Sequence, residues 1–168
     1  MTDVAGPSLR RAFIGLGANL GDAQATLAQA EREIAGLPHT RLRAVSSLYR
    51  SAPVDAQGPD FFNAVVEVQT ALSPHELLAQ LQHIEQRHGR MRPYRNAPRT
   101  LDLDLLLHAD AVLDSPELTL PHPRMRTRAF VLRPLAELAP DLVIPGQGAL
   151  SALLPAVARQ TIERMPPA

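Results

Sequence analysis

Two aspartates at alternate positions of an apolar segment are the side chains in this sequence best suited to chemistry. Residues 99–107 read Arg-Thr-Leu-Asp-Leu-Asp-Leu-Leu-Leu. On a strand, Asp102 and Asp104 share one face about 7 Å apart, and Leu101, Leu103, Leu105 and Leu107 share the other. Adjacent carboxylates repel unless a cation lies between them, and hard oxygen ligands favour magnesium over zinc. The spacing alone is consistent with a magnesium site or with a solvated acidic strand face.

Arginine-rich segments lie on both sides of this pair and contain no acid. They hold Arg87, Arg90, Arg92, Arg95 and Arg99 before it, and Arg124, Arg126, Arg128 and Arg133 after it. Such clusters are also typical of a solvated face or a nucleic-acid patch. Carboxylates that hold a metal, between guanidinium groups that orient phosphates, are what a magnesium polyphosphate requires. Together with the zero net charge, this arrangement favours a polyphosphate site.

Composition excludes several other kinds of site. The 168 residues hold no cysteine and no lysine, so thiolate metal sites, P-loop lysines and Schiff bases are impossible. The net charge is +0, so no overall field attracts nucleic acid or a membrane surface. No run approaches the roughly 18 apolar residues of a membrane helix. We expect a cytoplasmic monomer with one catalytic domain over 1–168.

The predicted elements give the fold. Strands are predicted at 11–16, 41–50, 61–69 and 101–108. A turn at 17–22 leads into a helix capped by Asp22, and a second helix begins at Ser73, with Glu76 completing a capping box, and ends at Gly89. Helical stretches near 126–139 and 149–164 follow, with a flexible lead at 1–9 and a helical extension at 146–168. The order predicts an α+β, ferredoxin-like βαββαβ sandwich with an antiparallel sheet.

The predicted third strand separates two kinds of side chain. Phe62, Ala64, Val66 and Val68 share one face, and Phe61 and Asn63 share the other, with Val65 among them. An aromatic ring beside an amide suits a flat heterocycle, although a phenylalanine in a sheet covered on both faces is more often core. His122, between two prolines, fits either a phosphate donor or a structural residue. The segment Gly15-Leu16-Gly17 is too short a motif for a nucleotide loop.

Several motifs in order carry a family resemblance over about residues 11–145. They are Gly-Ala-Asn-Leu-Gly at 17–21, Val-Ser-Ser-Leu-Tyr-Arg-Ser at 45–51, Phe-Phe-Asn-Ala at 61–64, Ile-Glu at 84–85, Gly-Arg-Met-Arg at 89–92, Ala-Pro-Arg-Thr-Leu-Asp-Leu-Asp at 97–104, Pro-His-Pro at 121–123 and Arg-Ala-Phe-Val-Leu at 128–132. The chain resembles the 6-hydroxymethyl-7,8-dihydropterin pyrophosphokinases of folate biosynthesis. The resemblance implies transfer of the ATP diphosphate to the pterin alcohol, with release of AMP.

The resemblance also implies roles for individual residues on the nucleotide side. Asp102 and Asp104 would bind two Mg2+ ions, and Arg90 and Arg99 would be catalytic. Further nucleotide contacts are expected from Gln82, Glu85, Arg90, Arg92, Arg99, Leu105, Thr119, His122 and Arg128.

On the pterin side, Phe61 and Phe130 would sandwich the ring while Asn63 reads its edge. Ser51 and Val54 would add loop contacts. The chain departs from the family pattern at Asn96, where some members have tryptophan, at Phe61, where tyrosine is frequent, and at Ala52, which replaces a proline. These departures bear on affinity and loop closure.

Three other functions are compatible with parts of the pattern. An RNA-binding module shares the element order, but it would need aromatic residues on the central strands and a basic net charge. A magnesium nucleotidyltransferase would also use paired aspartates, and it would release pyrophosphate. A non-catalytic ferredoxin-like binding domain is the third.

Overall fold

The strands and helices up to residue 108 follow the predicted order, except that one predicted strand is divided in two, in a computed structural model that describes residues 8–52, 58–89 and 101–166. The first half contains β1 (Arg10–Ala18), α1 (Ala23–Ala35), β2 (Thr40–Val45), β3 (Tyr49–Ser51), β4 (Phe61–Thr70) and α2 (Pro74–Gly89). The second half contains β5 (Asp102–His108), β6 (Leu113–Asp114), β7 (Thr119–Leu120), α3 (Ala129–Leu138), β8 (Val143–Ile144), β9 (Gly148–Ala149), α4 (Leu150–Leu153) and β10 (Glu163–Arg164). Short 3-10 turns span Met125–Thr127 and Leu154–Val157.

The main sheet is antiparallel and places β1 between β4 and β5. Its strand order is β10-β3-β4-β1-β5, and β2 pairs with the other half of β4. β5 therefore lies at an edge, with β1 as its only partner strand in that sheet among the described residues. This arrangement confirms the predicted α+β, ferredoxin-like fold.

Two apolar clusters cover the two faces of the sheet. The first packs Ile14 and Leu16 of β1 against Leu27 of α1 and Leu81 of α2. The second, on the opposite face, contains Phe13 with residues of α3, α4 and the turn at Leu154–Val157. Alternate residues of β1 thus enter different clusters, as the period of a strand requires. Val65 belongs to the second cluster, so its predicted place on the face of Phe61 and Asn63 is correct.

The two predicted helix starts are confirmed by their caps. The Asp22 side chain accepts a hydrogen bond from the Ala25 N–H at 3.1 Å. The Ser73 N–H donates to Glu76 at 2.8 Å, and the Glu76 N–H donates to Ser73 Oγ at 3.1 Å, which forms a capping box. No helix in the three described ranges has the length and apolar character to cross a membrane.

A bulge in β5 corrects one predicted strand face. Phe13 pairs with Leu107 and Ile14 pairs with Leu105, so Leu106 has no opposite residue on β1. The extra residue shifts the alternation, and both Leu106 and Leu107 enter the second cluster. Leu107 therefore does not share the face of Leu105, which lies in the first cluster.

The strand predicted at 41–50 is two strands, because Ser46 interrupts it. The Ser46 N–H donates to the Val65 carbonyl, and Ser46 Oγ accepts from the Val65 N–H, both at 2.9 Å. A side-chain hydroxyl thus replaces a backbone carbonyl in the ladder with β4, as serine allows. The chain then turns and resumes pairing with β4 at Tyr49.

The predicted C-terminal helix at 149–164 is wrong. The segment forms the four-residue helix α4, a 3-10 turn and the short strand β10. Pro155 lies in this turn and has no N–H to continue a helix. In the stretch predicted to be helical near 126–139, α3 begins at Ala129 after a separate 3-10 turn.

One carboxylate connects α3 to β3 and β10. Glu137 of α3 accepts hydrogen bonds from the Ser47 N–H at 2.9 and 3.1 Å, from Ser47 Oγ at 2.9 Å and from the Tyr49 hydroxyl at 2.9 Å. Arg164 of β10 lies 3.5 Å from the same carboxylate. Burial raises the pKa of Glu137, but the hydrogen bonds from Ser47 and Tyr49 and the charge of Arg164 outweigh it and hold the pKa below its usual value.

We predict that Glu137→Gln lowers the free energy of unfolding by about 2 kcal/mol at pH 7, because charge-assisted hydrogen bonds are lost. A carboxyl whose pKa is lowered on folding stabilises the protein above its unfolded pKa, and the stabilisation is lost as the pH falls through the folded pKa. The difference between the proteins should therefore shrink below pH 4.5, the ordinary carboxyl value. Urea unfolding of both proteins at several pH values between 7 and 3 measures this difference in unfolding free energy.

The matched control for this variant is Glu117→Gln. Glu117 is exposed, so its substitution should change the unfolding free energy by less than about 0.5 kcal/mol. A difference between the Glu137→Gln protein and the original that is the same at pH 7 and pH 3 would contradict a role for the charge.

Candidate active site

The register of three strands assembles the site at one end of β1. Gly17 pairs with Asn63 of β4 on one side and with Asp102 of β5 on the other. Two residues away, Gly15 pairs in the same way with a β4 residue and with Asp104. Because these positions alternate with core residues, Asn63, Asp102 and Asp104 share the face opposite α1 and α2.

A cavity of about 760 Å3 opens on this face. It brings together residues that are distant in the chain, from β3, β4, β5 and the first turn of α3. Seven of the predicted site residues line it, namely Ser51, Phe61, Asn63, Asp102, Asp104, Arg128 and Phe130. The residue patterns and the family resemblance together therefore predicted side chains that the fold places in one concave space.

Two aromatic rings line the cavity from different elements. Phe61, at the start of β4, is 39% exposed, which excludes the alternative that it is ordinary core. Its neighbour Phe62 instead packs against the first cluster. Phe130 lies in the first turn of α3, and the guanidinium carbon of Arg128 lies 5.3 Å from its ring centroid, within the range of a cation–π contact.

Gly17 provides the space that Asn63 occupies. A Cβ atom on Gly17 would lie 2.7 Å from Asn63 Nδ2, which is closer than real Cβ contacts allow. The same amide nitrogen donates to the Leu16 carbonyl at 3.5 Å. The predicted turn at 17–22 therefore begins too early, because β1 continues to Ala18 and Gly17 is a strand residue between two site residues.

The acidic strand is held from outside the sheet by α2. The Leu103 N–H, between the two aspartates, donates to Glu85 Oε2 at 2.8 Å. An edge strand otherwise presents such N–H groups to water. Glu85 thus fixes the backbone that carries Asp102 and Asp104, and its contact with the nucleotide stays a prediction.

His122 approaches the same strand from the loop after β7. The backbone N–H of His122 donates to the Leu106 carbonyl at 2.9 Å, and its ring Nε2 lies 3.8 Å from Asp104 Oδ1. The Arg124 N–H donates to its Nδ1 at 3.2 Å. Burial lowers the pKa of His122, and the charges of Arg128 and Arg124 lower it further, whereas the nearby aspartates oppose the shift.

The remaining predicted residues are distributed around the site or lie outside the described residues. Gln82 is exposed on α2, Thr119 is half-buried on β7, and Leu105 is buried in the first cluster. Val54, Arg90, Arg92 and Arg99 lie outside the described residues, so their predicted roles stay predictions.

The C-terminal segment contributes residues that the sequence did not point to. Gln160 and Thr161 line the cavity together with Asn19 and Ala52, which lie within or next to motifs that carry the family resemblance. No local signal marks Gln160, because it lies in a segment whose pattern was interpreted as helical. Its place depends on the return of the chain to α3 after residues 139–159, which local spacing does not encode.

The donor set on this face suits magnesium bound together with phosphate. Within residues 8–52, 58–89 and 101–166, no group of three or more histidine and acidic side chains is arranged to hold a metal. Mg2+ commonly takes only one or two carboxylates and completes its octahedron with waters and substrate phosphates. Asp102 and Asp104 supply that number, so they fit the ion.

Several solved structures share the fold of this chain. A crystal structure of Plasmodium falciparum HPPK-DHPS with STZ-DHP matches with a TM-score of 0.66 at 14% identity, over 88% of this chain and 41% of that chain. A triple mutant of the same protein with pteroate gives a TM-score of 0.69 at 14% identity, over 93% of this chain and 46% of that chain. At this identity the likeness supports the fold alone.

Sequence comparisons define the family more closely. The family model described as 7,8-dihydro-6-hydroxymethylpterin-pyrophosphokinase matches residues 13–140. A 2-amino-4-hydroxy-6-hydroxymethyldihydropteridine pyrophosphokinase of Pseudomonas aeruginosa is 47% identical over 159 residues, covering 94% of this chain and 98% of that protein. The protein of the same name from Haemophilus influenzae is 43% identical, covering 85% and 90%. The chain therefore belongs to the 7,8-dihydro-6-hydroxymethylpterin-pyrophosphokinase family.

Proposed function

We propose that this protein transfers the β,γ-diphosphate of ATP to the hydroxymethyl group of 6-hydroxymethyl-7,8-dihydropterin in folate biosynthesis. The hydroxyl oxygen bonds to the β-phosphorus, the bond from that phosphorus to the bridging oxygen of the α-phosphate breaks, AMP leaves, and the hydroxyl proton is released. The observation that carries the proposal is a single cavity lined by two aspartates, two phenylalanine rings and an asparagine amide. Family membership supports the same reaction.

The apolar part of the cavity suits a flat, polar-edged heterocycle. Phe61 and Phe130 offer ring faces from β4 and α3, and stacked aromatic contacts add to the gain from burial. Asn63 presents both a donor and an acceptor, which can pair with the amide-like edge of a pterin. Ser51, paired with Phe61 across β3 and β4, lies beside this edge of the cavity.

Asp102 and Asp104 would hold magnesium, and we propose two ions. When bound, the ions neutralise and polarise the transferred phosphates. His122 would orient a phosphate beside the same carboxylates. His122 accepts the Arg124 N–H at Nδ1, so its neutral ring carries the proton on Nε2, towards Asp104, where it can donate to a phosphate oxygen. Positioning and charge neutralisation account for most of the catalysis in this class of reaction.

We predict that Asp102→Asn and Asp104→Asn each reduce AMP formation by about 100-fold or more, because several kcal/mol of charge stabilisation depend on the bound cation. The purified chain is incubated with ATP, magnesium and 6-hydroxymethyl-7,8-dihydropterin, and nucleotide products are separated by chromatography. In the unsubstituted protein, AMP should form only when the pterin is present.

The matched control is Asp110→Asn, an exposed aspartate outside the cavity on the same stretch of chain. It should leave the rate within about twofold of the original, as surface substitutions usually do. Release of pyrophosphate in place of AMP would favour a nucleotidyltransferase. No AMP from a folded protein that binds ATP would reject the proposed reaction.

We predict that Gly17→Ala raises the KM for the pterin about fivefold and changes the KM for ATP much less. The added methyl group must displace the Asn63 amide, and a displaced hydrogen bond costs about 1 kcal/mol. Because the atom that moves is the end of a side chain, the protein should remain folded. Steady-state kinetics with each substrate varied in turn measures the two KM values separately.

Gly15→Ala is the comparison for this variant, since the nearest atoms to a Cβ there belong to the Leu106 side chain at 3.6 Å, an ordinary contact. It makes the same chemical change two residues away on the same strand. Equal effects of the two variants on the pterin KM would contradict a specific role for the space beside Asn63.

Two finer properties belong to the same proposal. We infer that the enzyme acts as a monomer and in the cytoplasm. Charge offers no attraction to nucleic acid or membranes, since the 17 basic and 17 acidic residues cancel. Light scattering coupled to size-exclusion chromatography tests the first property by giving the mass in solution.

A further inference from the structure

Gln160 lies outside the segment that defines the family and still reaches the active site. The family model ends at residue 140, and Gln160 follows 20 residues later, after the 3-10 turn at Leu154–Val157. It lines the same cavity as Phe130 of α3 and Arg128, the residue before α3.

The Gln160 amide makes two short hydrogen bonds to the backbone of one turn. Its Nε2 donates to the Thr127 carbonyl at 2.8 Å, and its Oε1 accepts from the Ala129 N–H at 2.8 Å. These two backbone groups lie on either side of Arg128. The side-chain amide therefore pairs with the backbone as a neighbouring strand would, and fixes the chain on both sides of a cavity residue.

The start of α3 needs such a partner because it lacks a side-chain cap of its own. The N-cap position is Arg128, in an extended conformation, and its side chain makes no capping hydrogen bond. The first N–H groups of a helix have no acceptor within the helix, and arginine has no acceptor atom to offer. The Oε1 atom of Gln160 fills this role for Ala129 from a distant part of the sequence.

Gln160 is itself held in place by packed structure. The backbone N–H of Gln160 donates to the Val157 carbonyl at 3.0 Å, and Val157 is 2% exposed. Val157 belongs to the second cluster, and Ile162 packs against it. The amide thus projects from a chain segment anchored on both sides, so its hydrogen bonds transmit a fixed position to α3.

We propose that Gln160 is a positioning residue for the pterin, acting through the first turn of α3. By fixing the backbone around Arg128, it sets the orientation of the Phe130 ring, which forms one wall of the pterin site. The inference rests on the proposed function for the identity of the ligand. It assigns a binding role to a segment outside the family match.

The test compares Gln160→Met with the unsubstituted protein. Methionine keeps the length and removes both hydrogen bonds. The probe is 6-hydroxymethylpterin, titrated by its own fluorescence in a chain with no tryptophan, with and without magnesium and an ATP analogue whose α,β bridge is methylene. We expect its Kd and the KM of the dihydropterin substrate to rise about fivefold, as loss of a helix cap predicts. The KM for ATP should change less.

The variant Gln160→Glu separates the effect of the capping hydrogen bond from the effect of side-chain volume. Glutamate retains an acceptor for the Ala129 N–H and loses the donor to Thr127. Its Kd for 6-hydroxymethylpterin should therefore lie between those of the original and of Gln160→Met. A Kd equal to that of Gln160→Met would overturn the capping role.

Gln147→Met is the matched control. It makes the same substitution in the β8–β9 turn, outside the cavity, at a residue whose Oε1 is buried with no hydrogen-bond partner among the described residues. Its pterin Kd and KM should equal those of the original protein. If Gln160→Met raises both KM values equally and lowers the Tm, the role of Gln160 is merely structural and the inference fails.

The outcomes separate this inference from the function on which it rests. No AMP and no pterin binding by the unsubstituted protein would reject the function. AMP formation by the unsubstituted protein, with the same pterin Kd and KM for Gln160→Met, would reject the positioning role and leave the function intact.

Discussion

The antiparallel register of β1 with its two neighbours is the constraint on which the site depends. It places Asn63 and Asp102 on either side of Gly17, so an amide from β4 and a carboxylate from β5 lie on one face with a single strand between them. A shift of either neighbour by one residue would turn these side chains into the first apolar cluster. The absence of a side chain at Gly17 completes the arrangement, because the space it leaves is where Asn63 lies.

The same sheet face forms core at one end and lines the cavity at the other. Towards the start of β1, Phe13 packs with Leu106 and Leu107 under α3. Towards its end, Phe61, Asn63 and the two aspartates face the cavity. The bulge at Leu106 marks the change, because it ends the alternation that exposes Asp102 and Asp104 and turns two successive leucines into the second cluster.

Support for the site comes from both sides of the sheet. Glu85 of α2 bonds the edge of the acidic strand, while Gln160 bonds the first turn of α3. The cavity therefore lies between elements that are each fixed by a side chain from elsewhere in the chain. Hydrogen bonds of this kind fix the side chains that line a cavity in a defined geometry before a ligand binds.

Local pattern was sufficient for much of the fold and for the centre of the site. Asp22, Ser73 and Glu76 cap helices through contacts within a few residues, and alternation alone assigned Asp102 and Asp104 to one face. Such signals are local, so the sequence carries them directly.

The features that sequence analysis missed depend on distant partners. Ser46 ends β2 through its bonds to Val65, and the place of Leu107 follows from the pairing of β5 with β1. Gln160 acquires its role only where the chain returns to α3. Pro155 is a local signal against a long C-terminal helix, but a proline does not determine which structure forms in place of that helix.

The place of Gln160 in the chain also bears on the order in which the protein is made. A ribosome releases β1, β4 and β5 well before residue 160, so the sheet can begin to pair while synthesis continues. The turn that carries Phe130 receives its partner only afterwards, together with the β10 strand that pairs with β3. The wall that contains Phe130 is therefore the last part of the cavity that a nascent chain completes.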